Sequence, residues 1–169
     1  MNYHYLPIYI LSIALGASYY LGYLPAIIFV IFGLLSILTY LIYVKDKKAA
    51  RNNAWRTSEK TLHLYSLLCG WPGAIIAQQI LRHKTQKQSF RVVFILTMLI
   101  NIGFIAGLHT DQGSSMLRSY TYQLTNYVVV NIKNKQINKS AFFLFKFRTN
   151  DFIYNESDTF YIRESSKNR

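Results

Sequence analysis

The stretch "LLCGWPGAII", residues 67–76, places Gly70, Trp71, Pro72 and Gly73 in the middle of an apolar run. Proline lacks the N–H that continues a helix and disfavours helical geometry at the preceding residue, whereas glycine permits a tight reversal. We therefore predict that the apolar segment 62–81 turns back on itself, with Gly70 to Gly73 as its structural tip. The alternative is a kinked helix that continues in one direction.

The segment lies in a chain of 169 residues that is 51% hydrophobic and carries a formal net charge of +12. Residues 1–44 contain no Lys, Arg, Asp or Glu. A bilayer core about 30 Å thick needs roughly 20 apolar residues in helical form. This start therefore predicts two crossings, 6–21 and 25–44, joined by a turn at Gly22. A cleaved signal peptide is the alternative, disfavoured because no Lys or Arg precedes the apolar run.

Tyrosines flank these two apolar runs, as expected for rings that prefer the headgroup region. Tyr40 and Tyr43, for example, close the second run.

A third crossing is predicted over residues 92–108, with Asn101 at its centre. Gly103 and Gly107 lie four residues apart, a spacing that lets two helix backbones approach closely. We expect Asn101 to hydrogen-bond across a helix interface, and the Gly103/Gly107 face to mediate a homo-oligomer.

Two strongly basic loops, residues 45–60 and 82–91, flank the segment 62–81. Lys and Arg close to membrane segments are retained on the cytoplasmic side. If the segment crossed the membrane, one of these loops would face the wrong way. A re-entrant segment removes this conflict, so we predict a multi-pass protein of the bacterial inner membrane with both loops in the cytoplasm and the tail after residue 110 outside.

The tail, residues 111–169, differs from the helical membrane domain 1–110. Its runs "YVVVNIKN", "AFFLFKFRT" and "DTFYIRE" are short, aromatic and β-branched, which is typical of strands. The predicted fold class is therefore mainly α and integral to the membrane: three transmembrane helices plus a re-entrant or kinked segment, followed by a small β-rich appendage with a disordered end.

The two basic loops indicate binding of anionic lipid headgroups or of a cytoplasmic partner. In this interpretation Asp46 offsets the charge of Lys47 and Lys48, and Glu59 pairs with Arg56 or Lys60. Nucleic acid is disfavoured as a partner because the aromatic stacking platform of single-strand binders is missing. The candidate binding residues are Lys47, Lys48, Arg51, Trp55, Arg56, Arg82, Lys84 and Lys87.

An enzyme or small transporter is the alternative function. Asp46, Glu59, His63 and His83 could then form a metal or acid–base site at the mouth of the hairpin. No motif typical of metal, phosphate or nucleophile chemistry accompanies them. A transporter needs an ionisable residue deep in the bilayer, and none of the four apolar segments has one at its centre. We therefore expect a non-enzymatic protein without cofactor or metal.

The ordered motifs "DKKAA", "WR", "SEKTLHL", "GWPGA" and "RHKTQKQSFR" resemble the bacterial membrane family called domain of unknown function 1294, over about residues 25–109. That family's pattern runs D-K-x-x-A, W-R-I-P-E-x-x-L, G-G-W-P-G and R-H-K-x-x-K-x-x-F. The matching residues in this chain are Asp46, Lys47, Ala50, Trp55, Arg56, Glu59, Leu62, Gly70, Trp71, Pro72, Gly73, Arg82, His83, Lys84, Lys87 and Phe90.

Two departures from the family pattern stand out: "RTSE" replaces R-I-P-E, and Cys69 occupies the first glycine of G-G-W-P-G. We expect the cysteine to make the tip less permissive. The resemblance implies a membrane location and no particular activity. Some relatives carry a cold-shock domain, but this chain lacks its K-G-F-G-F-I motif, so RNA binding is not inferred.

Overall fold

A computed structural model describes residues 3–81, 87–132 and 134–148 of the chain. This part of the chain is mainly helical. A short 3-10 helix, Tyr3–Tyr5, precedes α1 (Leu6–Tyr20), α2 (Ile27–Arg51), α3 (Glu59–Tyr65), α4 (Trp71–Leu81), α5 (Gln88–Gly107), α6 (Asp111–Asn131) and α7 (Lys135–Phe145).

Short polar side chains define where three of these helices begin. Each accepts a hydrogen bond from a main-chain N–H of the first helical turn, which would otherwise have no partner. The pairs are Ser58 with Thr61 at α3, Thr110 with Gly113 at α6, and Asn134 with Gln136 at α7.

Within the described residues, three helical stretches are long and apolar enough to cross a membrane: Ile27–Arg51, Glu59–Leu81 and Gln88–Gly107. The first and third overlap the predicted crossings 25–44 and 92–108 over residues 27–44 and 92–107. The helix α1 has 15 residues, about 22 Å at 1.5 Å per residue, which is shorter than the roughly 30 Å apolar core. A full crossing by residues 6–21 therefore stays a prediction.

The stretch Glu59–Leu81 is interrupted between α3 and α4. Leu68 has ψ 41° and Cys69 has φ 68°, so neither residue continues the helix. The reversal thus comes just before the predicted tip, and Trp71 and Pro72 begin the second helix, because proline is well tolerated in a first helical turn. Cys69 adopts a left-handed conformation that favours glycine, as expected from its place in the family pattern, at a cost of roughly 1–2 kcal/mol.

The first arm of this interrupted segment runs antiparallel to α2. It starts near the C-terminal end of α2, where the N–H of Thr57 donates to Oδ1 of Asp46 over 2.9 Å. It reaches the middle of α2 at Gly70, where an added Cβ would lie 2.0 Å from Oγ1 of Thr39. The chain therefore moves back along α2 as α3 proceeds.

The second arm, α4, runs in the same direction as α2 and returns to its C-terminal end. Its contacts advance along α2 from Gly73 at Ser36, through Gln78 at Tyr43, to the main-chain oxygen of Leu81 at Nζ of Lys47. The segments α3 and α4 therefore form a helical hairpin whose two ends lie at one end of α2.

The helix α5 begins beside this hairpin and ends at the opposite end of α2. At its start the rings of Phe90 and His63 are 4.3 Å apart. Just beyond its end, Nε2 of His109 lies 2.8 Å from Oγ of Ser18, and its ring lies 5.1 Å from that of Tyr23. One end of the bundle thus holds the first basic loop and the described residues of the second, 87–91, and the other holds the turn between α1 and α2.

The predicted strands after residue 110 are wrong wherever the structure describes them. Residues 127–131 belong to α6, and residues 141–145 belong to α7. The alternation of Phe143, Phe145 and Phe147 suggested a strand, but Ile137, Ala141 and Leu144 follow the helical spacing i, i+4, i+7. The third run, "DTFYIRE", lies outside the described residues.

The Gly103/Gly107 face of α5 is not used for packing within the described part of the chain. An added Cβ at Gly103 or at Gly107 would meet no atom of those residues within 4 Å. The predicted use of this face between copies of the chain stays a prediction.

The contact between α2 and α4 generates the first testable prediction. A Cβ at Gly73 would lie 1.8 Å from the main-chain oxygen of Ser36, so Gly73→Ala must force the two helices apart. We expect it to destabilise the protein by roughly 1–3 kcal/mol, seen as a lower Tm in detergent. Gly33→Ala, on the open face of α2, is the matched control and should be neutral or slightly stabilising. Equal Tm values for the two variants would contradict the close approach.

Candidate functional site

The first basic loop and the described residues on either side of 82–86 lie together at the C-terminal end of α2. Residues 52–58 connect α2 to α3, and Lys87 comes directly before α5. The Nζ atom of Lys87 lies 2.9 Å from Oε2 of Glu59, which joins the second loop to the start of α3. We call the exposed cations at this end the basic face; they are Lys45, Lys48, Arg51, Arg56, Lys60, Lys87 and Arg91.

Asp46 is the fully buried carboxylate beneath this face, with a relative exposure of 0%. Besides the hydrogen bond from Thr57, it lies 4.0 Å from Nε of Arg56. From the sequence we expected Asp46 to offset the charges of Lys47 and Lys48. In the structure its carboxylate instead contacts Arg56 and Thr57 of the loop. A buried carboxylate needs such partners, so Asp46 positions the chain between α2 and α3.

Glu59 pairs with Lys87 and not with Arg56 or Lys60, which were the partners predicted from the sequence. Its side chain is 40% exposed and that of Lys87 is 60% exposed. Exposed ion pairs contribute at most about 1 kcal/mol. The pair therefore brings the start of α3 close to that of α5 without being a main source of stability.

Lys47 was predicted to bind headgroups, but its ammonium group donates to the main-chain oxygen of Leu81. This oxygen belongs to the last residue of α4, where the carbonyl groups have no partner within the helix and attract cations. Lys47 therefore acts within the fold, as a C-terminal partner of the returning helix.

Trp55 is the most exposed large hydrophobic residue at the basic face, with 99% relative exposure. It lies in the loop next to Arg56, whose side chain is 54% exposed. A fully exposed indole beside cations has the composition of a membrane-interface anchor.

The three described residues of the candidate catalytic set each contact a different part of the structure. Asp46 faces the loop, Glu59 faces Lys87, and the His63 ring packs on Phe90. In residues 3–81, 87–132 and 134–148, no group of three or more His, Cys, Asp or Glu side chains could hold a metal ion.

The fourth candidate, His83, lies outside the described residues. So do the predicted binding residues Arg82 and Lys84.

Asn101 makes the cross-helix hydrogen bond that the sequence predicted. Its Nδ2 donates to the main-chain oxygen of Leu67 over 2.9 Å and to that of Thr97 over 2.8 Å. Leu67 directly precedes the interruption at Leu68 and Cys69, where carbonyl groups lose their helical partners. Asn101 thus satisfies an oxygen that the break leaves without its helical N–H.

Sequence reasoning missed the buried polar residues that line the hairpin. Tyr43 was assigned to the headgroup region, but it is 0% exposed and its hydroxyl lies 3.4 Å from Nε2 of Gln78. Ser66 and Thr39 are also fully buried. A helical signal was present, because Thr39, Tyr43 and Asp46 recur at i, i+4, i+7 along α2.

These elements indicate a class: a small helical membrane protein whose interrupted segment packs inside the bundle. The family model described as "Protein of unknown function (DUF1294)" matches residues 36–90, from the middle of α2 to the start of α5. The chain is also 36% identical over 61 residues to the "Uncharacterized protein YsdA" of Bacillus subtilis (strain 168), covering 36% of this chain and 68% of that protein. The chain belongs to this family, as its motifs predicted. No solved structure matches the chain significantly.

The second prediction concerns Asp46. Asp46→Ala leaves the N–H of Thr57 without its acceptor and should cost roughly 1–3 kcal/mol, measured as a lower Tm in detergent. Asp46→Asn keeps an acceptor oxygen and should cost less, because Arg56 is largely exposed to solvent. Trypsin cleavage at Arg56 should accelerate in the alanine variant. An alanine variant with unchanged Tm and cleavage would show that Asp46 does not hold this loop.

Proposed function

We propose that this protein is a multi-pass protein of the bacterial inner membrane whose basic face binds the headgroups of anionic phospholipids on the cytoplasmic side. The role proposed is binding rather than catalysis. The observation that carries the proposal is the position of the first basic loop and of Lys87, in the second, at one end of α2, next to an exposed tryptophan.

A membrane location is supported by the outer surface of the helices. Large aliphatic side chains of α2 and α5 point away from the rest of the described chain; Leu34 is 63% exposed and Leu99 is 58% exposed. Polar residues such as Thr39 and Asn101 are buried instead. Apolar outside and polar inside is the arrangement expected of helices surrounded by lipid.

Re-entry of the hairpin is supported by its depth. The hairpin starts at the level of Asp46 on α2, and it packs against α2 at Ser36. These two residues are ten positions apart along α2. Ten helical residues span about 15 Å, half of the roughly 30 Å apolar core. A segment of this depth that returns to its starting end keeps both basic loops on one side, as the charge rule requires.

Headgroup binding is supported by the charge balance of the basic face. The first basic loop contains two acidic residues, and both already have a cationic partner. Asp46 is paired with Arg56, and Glu59 is paired with Lys87. Within the described residues, the exposed side chains of Lys48 and Arg51 have no ion pair. Each such cation contributes about 1 kcal/mol of attraction at an anionic membrane surface.

The third prediction tests this attraction. In mixed micelles, phosphatidylglycerol should raise the Tm of the parent protein above its value with phosphatidylcholine, because a ligand of the folded state stabilises it. Replacing Lys48 and Arg51 by Gln should remove roughly 2 kcal/mol of attraction and shrink this difference. Replacing Lys135 and Lys139 on α7 by Gln is the charge-matched control. This variant should show the same Tm difference between the two lipids as the parent protein.

High salt should reduce the same difference, because it screens exposed charges. A parent protein with equal Tm values in the two lipids would refute headgroup binding. It would favour a cytoplasmic protein as the partner of the basic face.

The fourth prediction tests re-entry. Single cysteines at Ser58, Ser89 and Ser115, all exposed, are introduced in a Cys69→Ser background, and intact cells are labelled with a membrane-impermeant thiol reagent. We expect Ser58 and Ser89 positions to stay protected and the Ser115 position to react. Labelling at Ser89 with protection at Ser58 would instead establish a full crossing by residues 62–81.

A further inference from the structure

An apolar groove lies at the end of the bundle opposite the basic face. It has a volume of about 330 Å³, within the size range of small-ligand sites. Its walls come from the end of α1, the start of α2 and the last turns of α7. The lining residues are Tyr19, Ala26, Phe29, Val30, Phe143 and Leu144.

Two arginines contact the turn between α1 and α2, which connects the lining residues Tyr19 and Ala26. The guanidinium carbon of Arg148 is 4.1 Å from the centre of the Tyr20 ring, next to the lining residue Tyr19. Arg118 donates from Nη2 to the main-chain oxygen of Gly22 over 3.2 Å, and it lies 4.6 Å from the ring centre of Phe147. Both cations are thus held at the turn between α1 and α2.

The guanidinium groups retain donors for an anion. Stacking on an aromatic ring uses the face of the guanidinium and leaves its N–H groups at the edge. Among the described residues, no carboxylate pairs with Arg118 or Arg148. Guanidinium binds phosphate through two parallel hydrogen bonds, so these arginines suit a phosphate ester.

We propose that this groove binds an anionic phospholipid, with one acyl chain along the apolar walls and the phosphate at Arg148 and Arg118. An apolar groove beside a turn that carries two cations matches a molecule that is apolar along its length and anionic at one end. The turn between α1 and α2 ends two apolar helices, which is the level at which lipid headgroups lie. The inference shares with the proposed function only the membrane location of α2, because the groove and the basic face are at opposite ends.

The experiment is photocrosslinking in phosphatidylcholine nanodiscs that contain a trace of diazirine-labelled lipid. The probe is phosphatidylglycerol with the diazirine in one acyl chain, and the reference is phosphatidylcholine with the same chain. We expect adducts from the phosphatidylglycerol probe to map by mass spectrometry to Phe29, Val30, Phe143 and Leu144. Loss of a charge-assisted hydrogen bond corresponds to roughly tenfold in affinity. The reference lipid should therefore yield clearly fewer adducts.

Three variants separate the parts of the site. Arg148→Gln should reduce the phosphatidylglycerol adducts to the level of the reference lipid. Ala26→Leu fills the groove and should remove the adducts of both lipids while both arginines remain. Lys135→Gln, at the other end of α7, is the control and should change neither.

Equal adducts from both lipids in the parent protein, or an Arg148→Gln variant that behaves like the parent, would overturn the proposal. A photoreactive residue at Phe143 that crosslinks two protein chains would assign the groove to a second copy instead. Replacing Lys48 and Arg51 by Gln should leave the groove adducts unchanged. Failure of this site is thereby distinguishable from failure of the basic face.

Discussion

The interruption of the helix at Leu68 and Cys69 is the constraint on which the rest of the structure depends. A helix that stops inside an apolar bundle leaves main-chain carbonyl groups without partners, and lipid offers none. Asn101 on α5 supplies a donor to Leu67, and Oγ of Ser66 donates back to Leu62 over 2.9 Å. The break is therefore tolerated because α5 packs beside it and places the side-chain amide of Asn101 within hydrogen-bond distance of Leu67.

The second requirement of the break is space for the returning helix. Gly73 places the backbone of α4 directly on that of Ser36, and Gly70 lies against the side-chain hydroxyl of Thr39 and the main-chain oxygen of Leu35. This close approach allows α3 and α4 to pack together beside α2. The hairpin in turn returns the chain to the end of α2 from which it started. The clustering of the two basic loops is thus a consequence of small residues near the middle of the bundle.

Most of this arrangement follows from local chemistry that the sequence displays. Glycine and proline in an apolar run predicted the interruption, and a lone Asn101 in a crossing predicted a cross-helix hydrogen bond. The exact reversal point could not be predicted, because Pro72 is compatible both with a turn and with the first turn of a new helix. The structure resolves this by giving the left-handed conformation to Cys69.

The candidate site was less predictable than the fold. Its residue types and its end of the bundle follow from the spacing of charges, but the ion pairs do not. Glu59 has nearer cations along the chain than Lys87, and only the hairpin brings Lys87 close. The two strands predicted within the described part of the tail were wrong for a related reason. A short run of aromatic and β-branched residues fits a strand and a helix face equally well, and tertiary contacts decide between them.

The depth of the hairpin also determines what the basic face can reach. Exposed cations act on a charged surface only within about 8 Å at physiological ionic strength. In the proposed function, a segment that emerged farther from the bundle would leave its cations screened from the headgroups. The ammonium group of Lys47 holds the last carbonyl of α4 at the end of α2, and Asp46 holds the first loop there. These two neighbouring residues, one cation and one carboxylate, hold the first loop and the end of α4 at the same end of α2, as the proposed binding of lipid phosphate by the remaining cations requires.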